Sequence, residues 1–170
     1  MDKQSVHQEL ERVRADFRQL VESADAAVLR RPTNGTRWNN RQLLFHMLLG
    51  YLIIRALLRL VRVFSHLPRR ASRTYARLLN AGTGPFDEVN FLDSYAAGRA
   101  VRPARMVVMF DHVVDKLHQR LAAESDADLA RGMHYPTRWD PFFKDYMTLA
   151  DVCHFPTQHY DFHRRQLTLD

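Results

Sequence analysis

Residues 43–64 form a long apolar run, and three arginines, Arg55, Arg59 and Arg62, interrupt it. Mid-bilayer each would cost about 2.5–3.5 kcal/mol, which argues against a membrane span. At about 100° per residue the three arginines fall on one side. Opposite them lie His46, Gly50, Ile53, Leu57, Leu60 and Phe64. The run therefore reads as an amphipathic bundle helix with a solvated basic face.

Three more helices carry the same periodicity. Leu10, Val13, Phe17, Leu20, Ala24 and Ala27 recur at three- and four-residue steps and predict a first helix over residues 3–29, stopped by Pro32 and Asn34-Gly35. Thr36 or Asn39 caps the second, which extends to residue 65 ahead of Pro68. Residues 66–102 hold Pro68, Gly82, Gly84, Pro85 and Gly98, so the expectation there is an irregular crossover with a short helix over 72–79. So long a connection more often bears function than not. A third helix over 104–123 keeps Val107, Phe110, Val114, Leu117 and Leu121 on one face, and a fourth covers 148–167. No strand of convincing length competes. The expectation is an all-α four-helix bundle, one domain over residues 1–170, with a long crossover between helices two and three that makes the order up-down-down-up.

The net charge of +6 suits nucleic acid, an anionic membrane face or an acidic small molecule. Nucleic-acid binding would use Arg55, Arg59, Arg62, Arg69 and Arg70, but no helix-turn-helix, finger or basic-zipper signature accompanies them, so that reading ranks low. Cys153 is the only cysteine, which excludes an intramolecular disulfide. The polar N-terminus has no secretory pattern, and a cytoplasmic protein without a membrane partner is expected. Leu52, Leu58 and Phe162 lie outside the apolar stripes and are candidates for a homodimer contact.

Nine histidines stand in the chain. His159 and His163 are four apart and share a helical face with Val152, Phe155 and Gln166, while His46 sits on the apolar face of the second helix. Burying even one imidazole without a partner costs about 1–3 kcal/mol, and one shared divalent ion would satisfy all three. The other reading of the pair is two core or rim histidines bonded to carbonyls. Pro156 sits three residues before His159 and predicts a kink there. His154 is left out of the set. A short echo, Thr36-Arg37-Trp38-Asn39 and Thr137-Arg138-Trp139-Asp140, precedes each histidine-bearing helix and is too brief to call a repeat.

These segments resemble the DinB-like (DinB/YfiT) superfamily of metal-binding four-helix bundles, which includes bacterial thiol S-transferases. The residues carrying the likeness are Trp38-Asn39-Asn40-Arg41-Gln42-Leu43-Leu44-Phe45-His46, then Thr148-Leu149-Ala150-Asp151 followed by His159, His163 and Gln166-Leu167. The resemblance implies a three-histidine site at His46, His159 and His163 with open coordination positions, commonly filled by zinc or nickel. Such an ion lowers the pKa of bound water toward about 7 and deprotonates a bound thiol.

The expected activity is S-transfer from a low-molecular-weight thiol to a small electrophilic substrate. A metal-dependent hydrolase and a non-catalytic metal-binding stress protein are the alternatives. Either nucleophile comes from outside the chain, so no side chain is assigned as catalytic. Asp151 and Asp161 are candidates to receive a ligand's second N–H, with surface roles preferred. Trp139, Phe142, Phe143 and Tyr160 are candidates to line the pocket. Cys153 lies about 120° from His159 on an unbroken helix and is not assigned as nucleophile.

Overall fold

The computed structural model describes residues 2–169. Helix α1 (Lys3–Ser23) starts behind Asp2, whose side chain accepts from the Gln4 N–H, and buries Val6, Leu10, Val13, Phe17, Leu20 and Val21. It stops at Ser23 rather than at residue 29. Asp25 Oδ1 accepts from the N–H groups of Ala27 and Val28 at 2.7 and 2.8 Å, an Asx turn that competes with the helical ladder, and one 3-10 turn, Val28–Arg30, follows.

Helix α2 (Asn40–Ser65) opens with a capping box in which Asn39 and Gln42 satisfy each other's backbone N–H groups. Asn39 is the cap, since the Thr36 hydroxyl is used to accept from the Trp38 N–H at 3.0 Å. This helix has two apolar sides instead of one. Leu43, Leu44, Met47, Tyr51, Ile54, Leu58 and Val61 fill the bundle core, whereas Ile53, Leu57 and Leu60, opposite the arginines, wall a cavity and Ile53 is 39% exposed. Leu58 is therefore buried and unavailable for a homodimer contact, while Leu52 and Phe162 are half-buried. Although α2 has the length and hydropathy of a membrane span, it is packed on by the helices that follow.

Two of these form the crossover. Helices α3 (Arg69–Ala81) and α4 (Thr83–Ala100) replace the expected irregular connection. Gly82 breaks the arm, its N–H reaching the Leu79 carbonyl at 3.0 Å. Pro85 falls in the first turn of α4, where a missing N–H goes unnoticed. Gly98 sits inside α4 because a Cβ there would come 2.7 Å from Gln42 Cα. Arg41 closes the end of α4 by donating to the carbonyls of Arg99 and Val101 at 2.8 and 2.9 Å.

Helix α5 (Pro103–Ala123) begins on a proline, and a short α6 (Asp126–Leu129) follows. Between α6 and the last helix two three-residue strands, β1 (Gly132–His134) and β2 (Tyr146–Thr148), pair antiparallel with Met133 opposite Met147 and leave the fold an all-α bundle, as expected. Their loop carries Trp139 and Asp140. Helix α7 (Leu149–Arg164) also starts with a capping box, Thr148 with Asp151, and continues through Pro156.

Cross-helix contacts give the directions. Arg14 meets Asp115 and Arg18 meets Asp111, each at 2.5 Å, so α1 and α5 are antiparallel. Arg12 with Asp161 and Asp16 with Arg164 make α1 and α7 parallel. Tyr51 against Phe110 and Arg62 against Glu124 make α2 and α5 parallel. The bundle is up-down-down-up. Phe17 stacks on Phe110 with centroids 4.3 Å apart at its centre.

Candidate metal centre

The two capping boxes set where α2 and α7 start, and the antiparallel packing of these helices brings His46 beside His159 and His163. Ring centroids are 5.0 Å apart for His46 and His159, 4.7 Å for His46 and His163, and 4.5 Å for His159 and His163. One ligating nitrogen from each lies within 4.8 Å of the others. Gly50, one turn after His46, makes the approach possible: a Cβ there would come 2.9 Å from His159 Cδ2. Trp38 stacks on His46 at 4.4 Å and closes one side.

Each ring is turned by a hydrogen bond at Nδ1. His159 donates to Asp140 Oδ2 at 2.8 Å and His163 to Gln166 Oε1 at 2.7 Å, while His46 Nδ1 shares a hydrogen bond with the Ser94 hydroxyl at 3.1 Å. With each Nδ1 so engaged, Nε2 is the atom each ring can offer to a shared ion, the arrangement in which outer partners orient metal-ligating imidazoles. His159 Nε2 is buried without a partner among the described residues. An orphaned, deeply buried acceptor among two more imidazoles fits a divalent cation. Burial, reinforced by the neighbouring imidazoles, pushes His46 well below the usual histidine range. Burial and His159 bring His163 down to about 4, against the pull of Gln166. Neutral imidazole is the form that ligates a metal.

The sequence pattern of the DinB superfamily matches residues 9–167. The chain belongs to the DinB superfamily. Comparison with curated protein sequences yields no match. Among solved structures, this DinB chain is similar to YfiT from Bacillus subtilis, described as "a probable metal-dependent hydrolase with an unusual four-helix bundle topology". The TM-score is 0.68 at 16% identity, covering 98% of this chain and 83% of that one, which establishes a shared fold.

The other residues expected near the site are placed variously. Trp139 and Phe143 line the cavity beside it. Phe142 packs edge-on against Phe162 instead. Tyr160 is fully buried on the far side of α7, its hydroxyl donating to Asp16 at 2.7 Å, because one step along a helix turns a side chain by about 100° from His159. Asp151 caps α7; against the upward push of partial burial, bonds from Lys144 and Thr148 hold it at about 2. Asp161 pairs with Arg12, and His154 lies outside the site with Glu9. Of the arginines considered for nucleic acid, Arg62 is paired with Glu124 and Arg69 lies over the Tyr146 ring.

Asp140, Ser94 and Gly50 had not been assigned roles in the site. The echo was the available signal for Asp140. Trp38 Nε1 donates to the Phe91 carbonyl at 3.3 Å, while Trp139 Nε1 donates to Leu79 O at 2.8 Å and its ring stacks on Phe86 at 3.8 Å. The residue after each tryptophan serves a histidine: Asn39 caps the helix of His46, and Asp140 orients His159. Asp140→Asn keeps an acceptor and is expected to weaken metal binding about tenfold, with Asp140→Ala nearer a hundredfold, as measured by competition with a chromophoric chelator. Unchanged affinity in both would remove Asp140 from the site.

Cys153 takes no part. Burial, with a lesser contribution from Glu124, pushes its thiol up to about 12. At pH 8 its thiolate fraction, and its alkylation by iodoacetamide, are expected to be about 1,000-fold below those of an ordinary cysteine until the chain unfolds. Rapid labelling of the native protein would contradict this.

Proposed function

We propose that the chain is a metal-dependent enzyme that activates a low-molecular-weight thiol for transfer to a small electrophile. The observation that carries this reading is the convergence of three imidazoles beside a cavity of about 140 Å³. A zinc or nickel ion held by His46, His159 and His163 would supply the acidity that converts a thiol to its reactive thiolate at neutral pH.

The chain's own residues do the rest. Asp140 and Gln166 hold His159 and His163 in one tautomer and orientation, and Ser94 fixes the orientation of His46. Trp38 shields His46 on one face, and the apolar side of α2 lowers the polarity of the cavity wall, which strengthens any charge interaction formed there. No protein nucleophile is needed.

Hydrolysis is the second reading, favoured by the description of the structurally similar YfiT, with water in place of the thiol. The test is consumption of a small aryl halide such as 1-chloro-2,4-dinitrobenzene by zinc- or nickel-loaded protein, with and without added thiol. Thiol-dependent turnover that a chelator abolishes supports S-transfer. Turnover of ester or amide substrates indifferent to thiol would replace it with hydrolysis, and no metal-dependent turnover of either kind would leave a binding protein.

A further inference from the structure

The three histidines do not open onto one chamber. His46 and His159 border the apolar cavity, His163 borders a more open groove, and Asn90 of α4 borders both. Ile53, Leu57, Leu60, Met133 and Phe143 help to make the cavity apolar, and no lysine or arginine lines it. Its volume, about 140 Å³, is close to that of an engineered apolar cavity known to hold a benzene ring. An anionic side group entering it would lose its hydration and find no lysine or arginine to pair with.

The groove is of the opposite kind. Arg37 and Asp87 border it, together with Thr36 and Gln166. Arg37 lies 3.7 Å over the Phe91 ring and pairs with Glu88, yet keeps 62% of its side chain exposed. Asp87 has no hydrogen bond or ion pair among the described residues. One cation and one free anion along the same groove suit a zwitterion, whose carboxylate and ammonium each find a partner.

We propose that the centre takes two different substrates from two sides: a neutral apolar electrophile in the cavity beside His46 and His159, and an amino-acid-type zwitterionic thiol along the groove beside His163. Arg37 takes the thiol's carboxylate and Asp87 its ammonium. The identity of the reacting groups rests on the S-transfer reading. In that reaction a sulfur–carbon bond forms, and the bond from that carbon to its leaving group breaks with the electron pair departing on the leaving group. The thiol proton goes to solvent and nothing is oxidised or reduced.

The two tryptophans of the chain stand one on each side, Trp139 on the cavity and Trp38 on the groove. Their indole N–H signals in a nitrogen–proton correlation spectrum of zinc-loaded protein report the two chambers separately. Toluene is expected to shift the Trp139 signal and L-cysteine the Trp38 signal, with toluene affinity changing less than twofold in saturating cysteine. Arg37→Ala combined with Asp87→Asn is expected to raise the Kd for L-cysteine at least fivefold while leaving 2-mercaptoethanol and toluene unchanged. Leu57→Phe, which narrows the cavity, is expected to remove only the toluene response.

Mutual exclusion of toluene and cysteine, or equal weakening of cysteine and mercaptoethanol, would overturn the two-sided site. Thioether formation is scored separately. If both probes bind together as described and no thioether forms from any apolar electrophile, S-transfer falls and the two-sided site stands. If thioether forms while the probes exclude each other, S-transfer stands and the two-sided site falls.

Discussion

The His159→Ala, His163→Ala double variant is expected to carry no zinc or nickel after purification, where the unaltered protein holds close to one ion per chain. Two of three ligands are removed, and a single buried imidazole does not hold a divalent ion against water. The variant's stability depends on whether metal is present. In the metal-free protein His159 Nε2 is buried without a partner among the described residues, a cost of about 1–3 kcal/mol that alanine removes. Asp140 then loses the imidazole it accepts from, which opposes that gain. The metal-free proteins are therefore expected to melt within a few degrees of each other.

With metal the two separate. Free ion at 1,000 times its Kd stabilises the protein that binds it by about 4 kcal/mol, or about 8–16 °C in Tm for a domain of this size. Calorimetry with and without zinc measures the difference directly. A variant that gained as much Tm from zinc as the unaltered protein would place the metal elsewhere.

Gly50→Ala is expected to weaken metal binding about 10- to 100-fold without replacing a ligand. Its Cβ would stand 2.9 Å from His159 Cδ2 and 3.4 Å from His159 Nε2, so either ring or helix must yield. The ring is held at its other nitrogen by Asp140, and α2 is held on several sides by α4, α5 and α7. Overpacking of this kind costs about 1–3 kcal/mol, and every 1.4 kcal/mol passed to the ligand geometry is tenfold in affinity. Gly84→Ala is the control, because a Cβ there meets nothing within 4 Å. Equal chelator competition by the two alanine variants would show that His159 has room to move and that the close approach is not a requirement of the site.

The helices that could be read from the chain are those whose signals are local. Both ligand-bearing helices open on a capping box formed within four consecutive residues, and their apolar positions recur at helical spacing, so the starts at Asn39 and Thr148 and the shared face of His159 and His163 followed from local chemistry. The end of α1 did not, because the Asx turn at Asp25 outweighs apolar spacing that continues to Ala27. Nor did α3 and α4. Their glycines and prolines look like punctuation, but Pro85 is harmless in a first turn and Gly98 answers to Gln42 on another helix.

By itself, then, the sequence determined a helical bundle with a histidine pair on one face and a third histidine on the apolar face of the longest helix. Tertiary structure decided what lies around them. That the side of α2 opposite the arginines walls a cavity, and that Asp140 and Ser94 reach in from a loop and from α4, depends on pairs of residues far apart in the chain. Periodicity records which side of a helix is apolar. It carries no information about whether that side meets another helix or an enclosed space, because both remove the same side chains from water.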